Sequence, residues 1–202
     1  LYRNFGMVRP EGYRKALRLM KIGEKFNLPI ITLIDTPGAY PGIGAEERGQ
    51  AQAIADNLYN MSSLEVPILS IVIGEGASGG ALAIGLCDKL ICLEHTWFSV
   101  ISPEGCASIL FHDTSKSEEA ADAMKVSSLD LLNMKICDEV LHEPLGGAHH
   151  DILYMSNIIK DCINKNISNL IKINKTELIN LRLQKYENIG HYTIDKTEKN
   201  EQ

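Results

Sequence analysis

Two apolar runs, each ending in a glycine-rich loop, constrain this chain more than any other feature. The first is Ile30-Ile31-Thr32-Leu33-Ile34, which stops at Asp35-Thr36-Pro37-Gly38-Ala39-Tyr40-Pro41-Gly42. The second is Val66-Pro67-Ile68-Leu69-Ser70-Ile71-Val72-Ile73, followed by Gly74-Glu75-Gly76-Ala77-Ser78-Gly79-Gly80. Both are β-branched and of buried-strand length, and the prolines and glycines after them demand irregular backbone. Helical periodicity separates them. Between 10 and 27, Tyr13, Ala16, Leu17, Leu19, Met20 and Phe26 recur at helical spacing, with Pro10 suited to the first turn. A helix is expected over 45–63, with Glu46 and Glu47 near its positive end. A short packed helix over 81–86 and strands over 89–93 and 97–101 follow. Ser102-Pro103-Glu104-Gly105 then opens another helix. This alternation predicts an α/β domain with a largely parallel sheet.

The domain is expected over 1–150, with 136–141 closing its compact part. A helical extension is expected over 151–202, with helices at 151–172 and 175–186 and a polar, frayed last dozen residues. At 202 residues, 45% of them hydrophobic, the chain can bury one sizeable core. A net charge of −6 argues against a nucleic-acid or polybasic membrane surface. No apolar run approaches the roughly 20 residues of a membrane span. The five cysteines, Cys87, Cys92, Cys106, Cys137 and Cys162, form no CxxC pair and read as small buried hydrophobes in a reducing compartment. The chain starts at Leu1 rather than Met, with no signal-peptide core after it, and so reads as a processed or incomplete product.

Open α/β sheets bind ligands beyond the carboxyl ends of their strands, which places the chemistry in the two loops. The second loop satisfies three patterns. Gly74-Glu75-Gly76-Ala77-Ser78-Gly79 is a G-x-G-x-x-G, but Glu94 is a poor candidate for the ribose carboxylate, and Glu75 would sit beside a pyrophosphate. Gly76-Ala77-Ser78-Gly79-Gly80 is a G-x-S-x-G, for which Asp138 with His142, His149 or His150 could complete a hydrolase triad around Ser78. The third pattern needs no side chain. Gly79 and Gly80 at a helix N-terminus would present free backbone N–H groups to a substrate oxygen, an oxyanion hole. Asp35-Thr36-Pro37-Gly38 imitates a GTPase DxxG, yet no GxxxxGK[ST] exists, and the six histidines lack metal-ligand spacing.

Taken together, NFGM at 4–7, PEGYRKA at 10–16, IDTPGAYPG at 34–42, GAEERGQ at 44–50, VIGEG at 72–76, SGGALAIG at 78–85, VISPEGCASIL at 100–110 and EPLGGAH at 143–149 resemble one family. It is the carboxyltransferase alpha subunits of multi-subunit acetyl-CoA carboxylase, and the resemblance runs from about residue 3 to 150. It implies a crotonase-like fold of ββα units. It also implies carboxyl transfer from carboxybiotin, on the biotin carboxyl carrier protein, to acetyl-CoA, forming malonyl-CoA for fatty-acid biosynthesis. The implied partners are a beta subunit in an α2β2 assembly, the carrier protein, and biotin carboxylase, which consumes the ATP. No cofactor, metal or nucleic acid is implied for this chain alone.

Within the resemblance, Gly79 and Gly80 match the glycine pair of the oxyanion hole. Asp35, Pro37, Gly38 and Ala39 match the loop shaping the pocket at the subunit interface, and Gly76 and Ser78 belong to the same substrate-binding surface. Ala77 stands where many relatives carry glycine, which is tolerable unless φ is positive there. Relatives carry a long segment before NFGM, so a sheet edge and core face should be uncovered here. Plastid stroma is the expected location, with bacterial cytoplasm as the alternative. Three other readings stay open: another crotonase-type acyl-CoA enzyme, a Ser78-dependent hydrolase, and a non-catalytic assembly module.

Overall fold

A computed structural model describes residues 2–190. Helix α1 (Pro10–Lys25) begins on Pro10, whose missing N–H costs nothing in a first turn, and turns Tyr13 and Met20 into the core. Strand β1 (Ile30–Thr36) follows. The helix expected over 45–63 is instead two: α2 (Ile43–Glu46) and α3 (Gln50–Ser63). Gly49, at φ +77°, turns the chain left-handed between them, a conformation that ends α2 and starts α3 afresh.

Strand β2 (Ile68–Ala77) continues through Gly74, Glu75 and Gly76, which the sequence had suggested were loop. Helix α4 (Ser78–Gly85) therefore starts three residues earlier than predicted. Strand β3 (Lys89–Leu93) has the expected bounds, and β4 (Trp97–Ser99) ends two residues short. Helix α5 (Pro103–Phe111) is capped by Ser102, whose Oγ accepts from Gly105 N–H at 3.2 Å. Two further short helices, α6 (Ser117–Met124) and α7 (Ser128–Asn133), complete an excursion before β5 (Glu139–Leu141). Helices α8 (Ile152–Leu170) and α9 (Lys175–Glu187) agree with expectation. The polar last dozen residues lie outside the described residues.

All strand pairs are parallel, in the order β1-β2-β3-β5, with β4 paired to the far end of β2. Each face of the sheet has its own core. Ile34, Ile68, Val72 and Cys92 pack with Met20, Met61 and Ala81 of α1, α3 and α4. Leu69, Ile71, Ile91 and Leu93 pack with Met155 and Cys162 of α8. At roughly 2 kcal/mol for each fully buried aliphatic side chain, these two layers dominate the folding free energy. Cys87, Cys92, Cys137 and Cys162 are buried free thiols, as expected of small hydrophobes, whereas Cys106, read the same way, is only half-buried on α5. On the α8 side of the sheet, Ile31 and Leu33 of β1 stay 43% and 55% exposed. No described helix is long and apolar enough to cross a membrane.

Arg182 of α9 is the largest fully buried side chain. Its Nε and Nη2 donate to the Asp88 carboxylate at 2.8 and 2.9 Å. Nη1 donates to the Met61 and Leu64 carbonyls, both at 2.8 Å, and Nη2 also to Val66 O at 3.0 Å. Asp88 Oδ2 accepts from Ile68 N–H as well, at 2.7 Å. One guanidinium thus ties α9, the end of α3, the start of β2 and the residue before β3 into a single unit.

Candidate functional site

The two loops meet at the start of α4. Strand β2 runs extended to Ala77 (φ −113°), and the positive φ that forms the corner falls on Ser78 (+58°). Ala77 is therefore unstrained where relatives were expected to need glycine. Without a side-chain cap on α4, the first amides of the helix depend on outside acceptors. Gly79 N–H and Gly80 N–H belong to the first turn, ahead of the helix's own hydrogen-bond ladder, and no described side chain accepts from either.

The structure separates the two glycines. Gly79 lines a cleft of about 470 Å³, together with Ser78, Leu82, Phe98, Val100 and Met134. A Cβ on Gly79 would meet only Ile54 Cδ1, at an ordinary 3.5 Å. Gly80 is buried and lines no part of that cleft. A Cβ on it would stand 2.5 Å from both Ala39 N and Gly38 C. Gly80 is required because the backbone of the first loop presses on α4, whereas Gly79 borders the cleft with room for a Cβ.

The first loop is held from several sides. A β-bulge between Ile34 and Thr36 interrupts the β1–β2 ladder, and Asp35 Oδ1 spans the gap by accepting from Glu75 N–H at 3.1 Å. Gly74 lies where any Cβ would strike that carboxylate. Thr36, buried, accepts from Gly38 N–H at 3.1 Å and lies 2.8 Å from Gly6 O. Gly38 takes φ +140°, which only glycine adopts readily. Gln50 of α3 donates to Val8 O and Tyr40 O at 2.8 and 3.0 Å, pinning the loop beyond Ala39. Pro37 is exposed on the loop's outer side.

Three sequence readings change on this geometry. Gly76, expected at the substrate, is buried in the β2–β4 ladder, where a Cβ would lie 2.5 Å from Phe98 Cδ2. Its absent side chain lets β4 approach. The dinucleotide reading fails because Gly74 and Gly76 lie within a strand and form no phosphate turn, while Glu94 accepts from Glu143 N–H at 3.0 Å. The hydrolase reading lacks a base. Asp138 is engaged by Lys89, Lys185 and Leu90 N–H, and His142 lies 3.4 Å from Glu94. The His149 and His150 rings lie against each other, centroids 4.6 Å apart and planes tilted by 46°. None of these residues is hydrogen-bonded to Ser78.

Sequence reasoning missed the far wall of the cleft, which comes from Met124, Lys125, Val126, Leu131 and Met134 in the excursion between β4 and β5. Phe98 N–H donates to Val126 O at 3.2 Å, and Trp97 bridges to Ser127. These bonds fasten that wall to β4, and β4 pairs with Glu75, Gly76 and Ala77 just before the corner.

The family model for "Acetyl co-enzyme A carboxylase carboxyltransferase-like" proteins matches residues 1–190. The chain belongs to this family. The acetyl-coenzyme A carboxylase carboxyl transferase subunit alpha of Flavobacterium johnsoniae is 54% identical over 191 residues, 95% of this chain and 60% of that protein. Its namesake from Chlorobium phaeobacteroides is 54% identical over 190 residues, 94% of this chain and 57% of that protein. The chain thus spans about 60% of the length of the curated relatives it matches. Among solved structures, transcarboxylase 12S aligns with a TM-score of 0.65 at 20% identity, covering 96% of this chain and 34% of that one. A Pseudomonas malonate decarboxylase hetero-tetramer aligns at 0.70 and 16% identity, covering 88% and 71%. The fold is the crotonase-like α/β architecture that these structures share.

Proposed function

We propose that this chain is the carboxyltransferase alpha component of a multi-subunit acetyl-CoA carboxylase. Together with a beta subunit, it transfers the carboxyl group from carboxybiotin, presented on the carrier protein, to acetyl-CoA and yields malonyl-CoA. The names and high identity of the bacterial relatives support this reading. The observation that carries it is the Gly79 amide, a first-turn N–H without a side-chain cap at the edge of an apolar cleft.

In carboxyl transfer, negative charge develops on a carbonyl oxygen, either of the biotin urea or of the thioester enolate. A preorganised N–H aimed at that oxygen stabilises the transition state more than the ground state. Losing one such donor costs on the order of 3 kcal/mol of barrier. The dipole of α4 adds to the same field. Gly80 serves by letting α4 seat on Gly38 and Ala39, and the Asp35 carboxylate holds the end of β2. No side chain is assigned as general base; catalysis rests on positioning and backbone electrostatics. The Ile- and Asn-rich tail supports a plastid location, and the bacterial relatives support bacterial cytoplasm.

The test is reconstitution of the chain with a beta subunit, following biotin-dependent decarboxylation of malonyl-CoA. Gly79→Val should abolish turnover in an assembled complex. Unchanged turnover would remove the oxyanion role.

A further inference from the structure

The cleft beside Gly79 is apolar almost throughout, and Lys125 is the one charged residue among those that line it. The Lys125 ammonium shows neither a hydrogen bond nor an ion pair with another described residue. Lys89 and Lys185 share Asp138, Lys165 reaches Glu139 and Lys175 reaches Glu65, whereas Lys15, Lys135, Lys160 and Lys172, like the exposed Lys125, show no ion pair with a described residue. What sets Lys125 apart is its place in the cleft lining. A cation without a counter-ion at the rim of an apolar cavity is an arrangement that suits an anion with an apolar body.

The backbone strengthens the point. Lys125 is the C-cap of α6 and sits at φ +52°, ψ +57°, in the left-handed region. Gly or Asn holds such a cap without difficulty, whereas a long side chain is strained there. Residue 125 is also well anchored. The next residue, Val126, accepts from Phe98 N–H, and Phe98 stands opposite Gly76 in the parallel β2–β4 pair. The cation is therefore connected through one strand to the corner that presents Gly79.

We propose that Lys125 is the counter-ion for the carboxylate in transit, a binding and specificity residue that distinguishes carboxylated from uncarboxylated substrate. This rests on the carboxyl-transfer reading above. The Gly79 amide serves the carbonyl oxygen on which charge develops, and Lys125 serves the carboxylate already charged in the ground state. Its effect therefore belongs to affinity for the carboxylated partner more than to turnover.

The test uses the chain assembled with its beta subunit and measures direct affinity for malonyl-CoA and for acetyl-CoA, which differ by one carboxylate. Lys125→Asn removes the charge while keeping a residue that accepts the left-handed backbone. It should weaken malonyl-CoA by about tenfold, the scale of a lost charge-assisted contact, and leave acetyl-CoA within about twofold. Lys125→Arg should restore most of the difference. The contrast should fade as ionic strength approaches about 1 M, where screening acts within about 3 Å. A parallel arm with carboxybiotin on its carrier identifies the source. A defect confined to carboxybiotin assigns Lys125 to the biotin side, and one confined to malonyl-CoA assigns it to the acyl side.

Equal losses for malonyl-CoA and acetyl-CoA, with no carboxybiotin defect, would overturn the proposal, as would no loss in any arm. Transfer activity is scored separately. A complex that discriminates through Lys125 yet transfers no carboxyl group contradicts the functional reading and leaves the carboxylate site standing.

Discussion

The start of α4 and the Asp88–Arg182 clamp treat polar groups in opposite ways. At the clamp, a buried guanidinium and carboxylate satisfy each other, and three carbonyls and a backbone amide take up the remaining hydrogen-bonding capacity. At α4, the first-turn amides have no side-chain cap, and that of Gly79 lies at the edge of a cleft. A buried charge is tolerated only when completely paired. A free amide is tolerated at a helix end because substrate or solvent can reach it. The first arrangement maintains the fold, and the second leaves bonding capacity for a ligand. Both ends of β2 are involved, since Arg182 secures its entry and the Gly79 corner follows its exit.

Removing one member of the clamp should give the largest change in stability. Arg182→Met leaves Asp88 buried without its counter-ion and should cost about 3–5 kcal/mol, read from the unfolding midpoint. Adding Asp88→Asn should recover part of the loss. If Arg182→Met costs no more than a surface substitution, the contrast between the two regions fails.

The next effect divides the two glycines. Gly80→Ala forces a Cβ against the Gly38–Ala39 backbone and should cost about 1–3 kcal/mol, with loss of transfer activity as α4 moves. Gly79→Ala meets only the end of Ile54 and should stay within about 0.5 kcal/mol of the parent, as substitutions free of steric conflict do. Equal destabilisation by the two would show that the first loop does not press on α4 as described.

Asp35→Ala removes the acceptor of Glu75 N–H and should cost about 1 kcal/mol, the scale of a single hydrogen bond. Asp35→Asn keeps an acceptor and should recover most of it. The smallest effect concerns pH. Burial raises the Asp138 pKa, but the ammonium of Lys185, aided by Leu90 N–H and Lys89, outweighs it and holds the carboxyl below its ordinary 3.8. A depressed pKa stabilises the fold fully above the ordinary value, and the contribution is lost as pH falls through the lower folded value. The stability gap between parent and Asp138→Asn should therefore be level from neutrality down to about 4 and narrow below it, followed by thermal unfolding against pH.

Much of this was legible in the chain because local pattern and tertiary need agree. The run 30–34 and the strand 89–93 have no competing periodicity, and Ser102-Pro103 caps α5 as its chemistry dictates. Misreadings arise where an absent side chain serves packing. Gly74 and Gly76 look like loop, yet they are strand residues that make room for Asp35 and Phe98. The same ambiguity gave Gly79 and Gly80 one role, because sequence cannot tell a glycine facing a cleft from one pressed on backbone. Arg182 carried a faint signal, lying one turn after Leu178 and one before Tyr186, but a cation in an apolar stripe ordinarily reads as solvated. The cleft's outer wall was out of reach. Lys125 and Met134 meet Gly79 only through the pairing of β4 with β2 and the hydrogen bond between Phe98 and Val126.

The Gly79 N–H can be removed without touching any side chain. Glycolic acid in place of Gly79, introduced by semisynthesis, converts that one amide to an ester. In complex with the beta subunit, the ester protein should keep its unfolding midpoint while kcat for biotin-dependent malonyl-CoA decarboxylation falls by about 10²–10³. A kcat within about threefold of the parent, less than 1 kcal/mol of barrier, would contradict the assignment of this amide to the transition state.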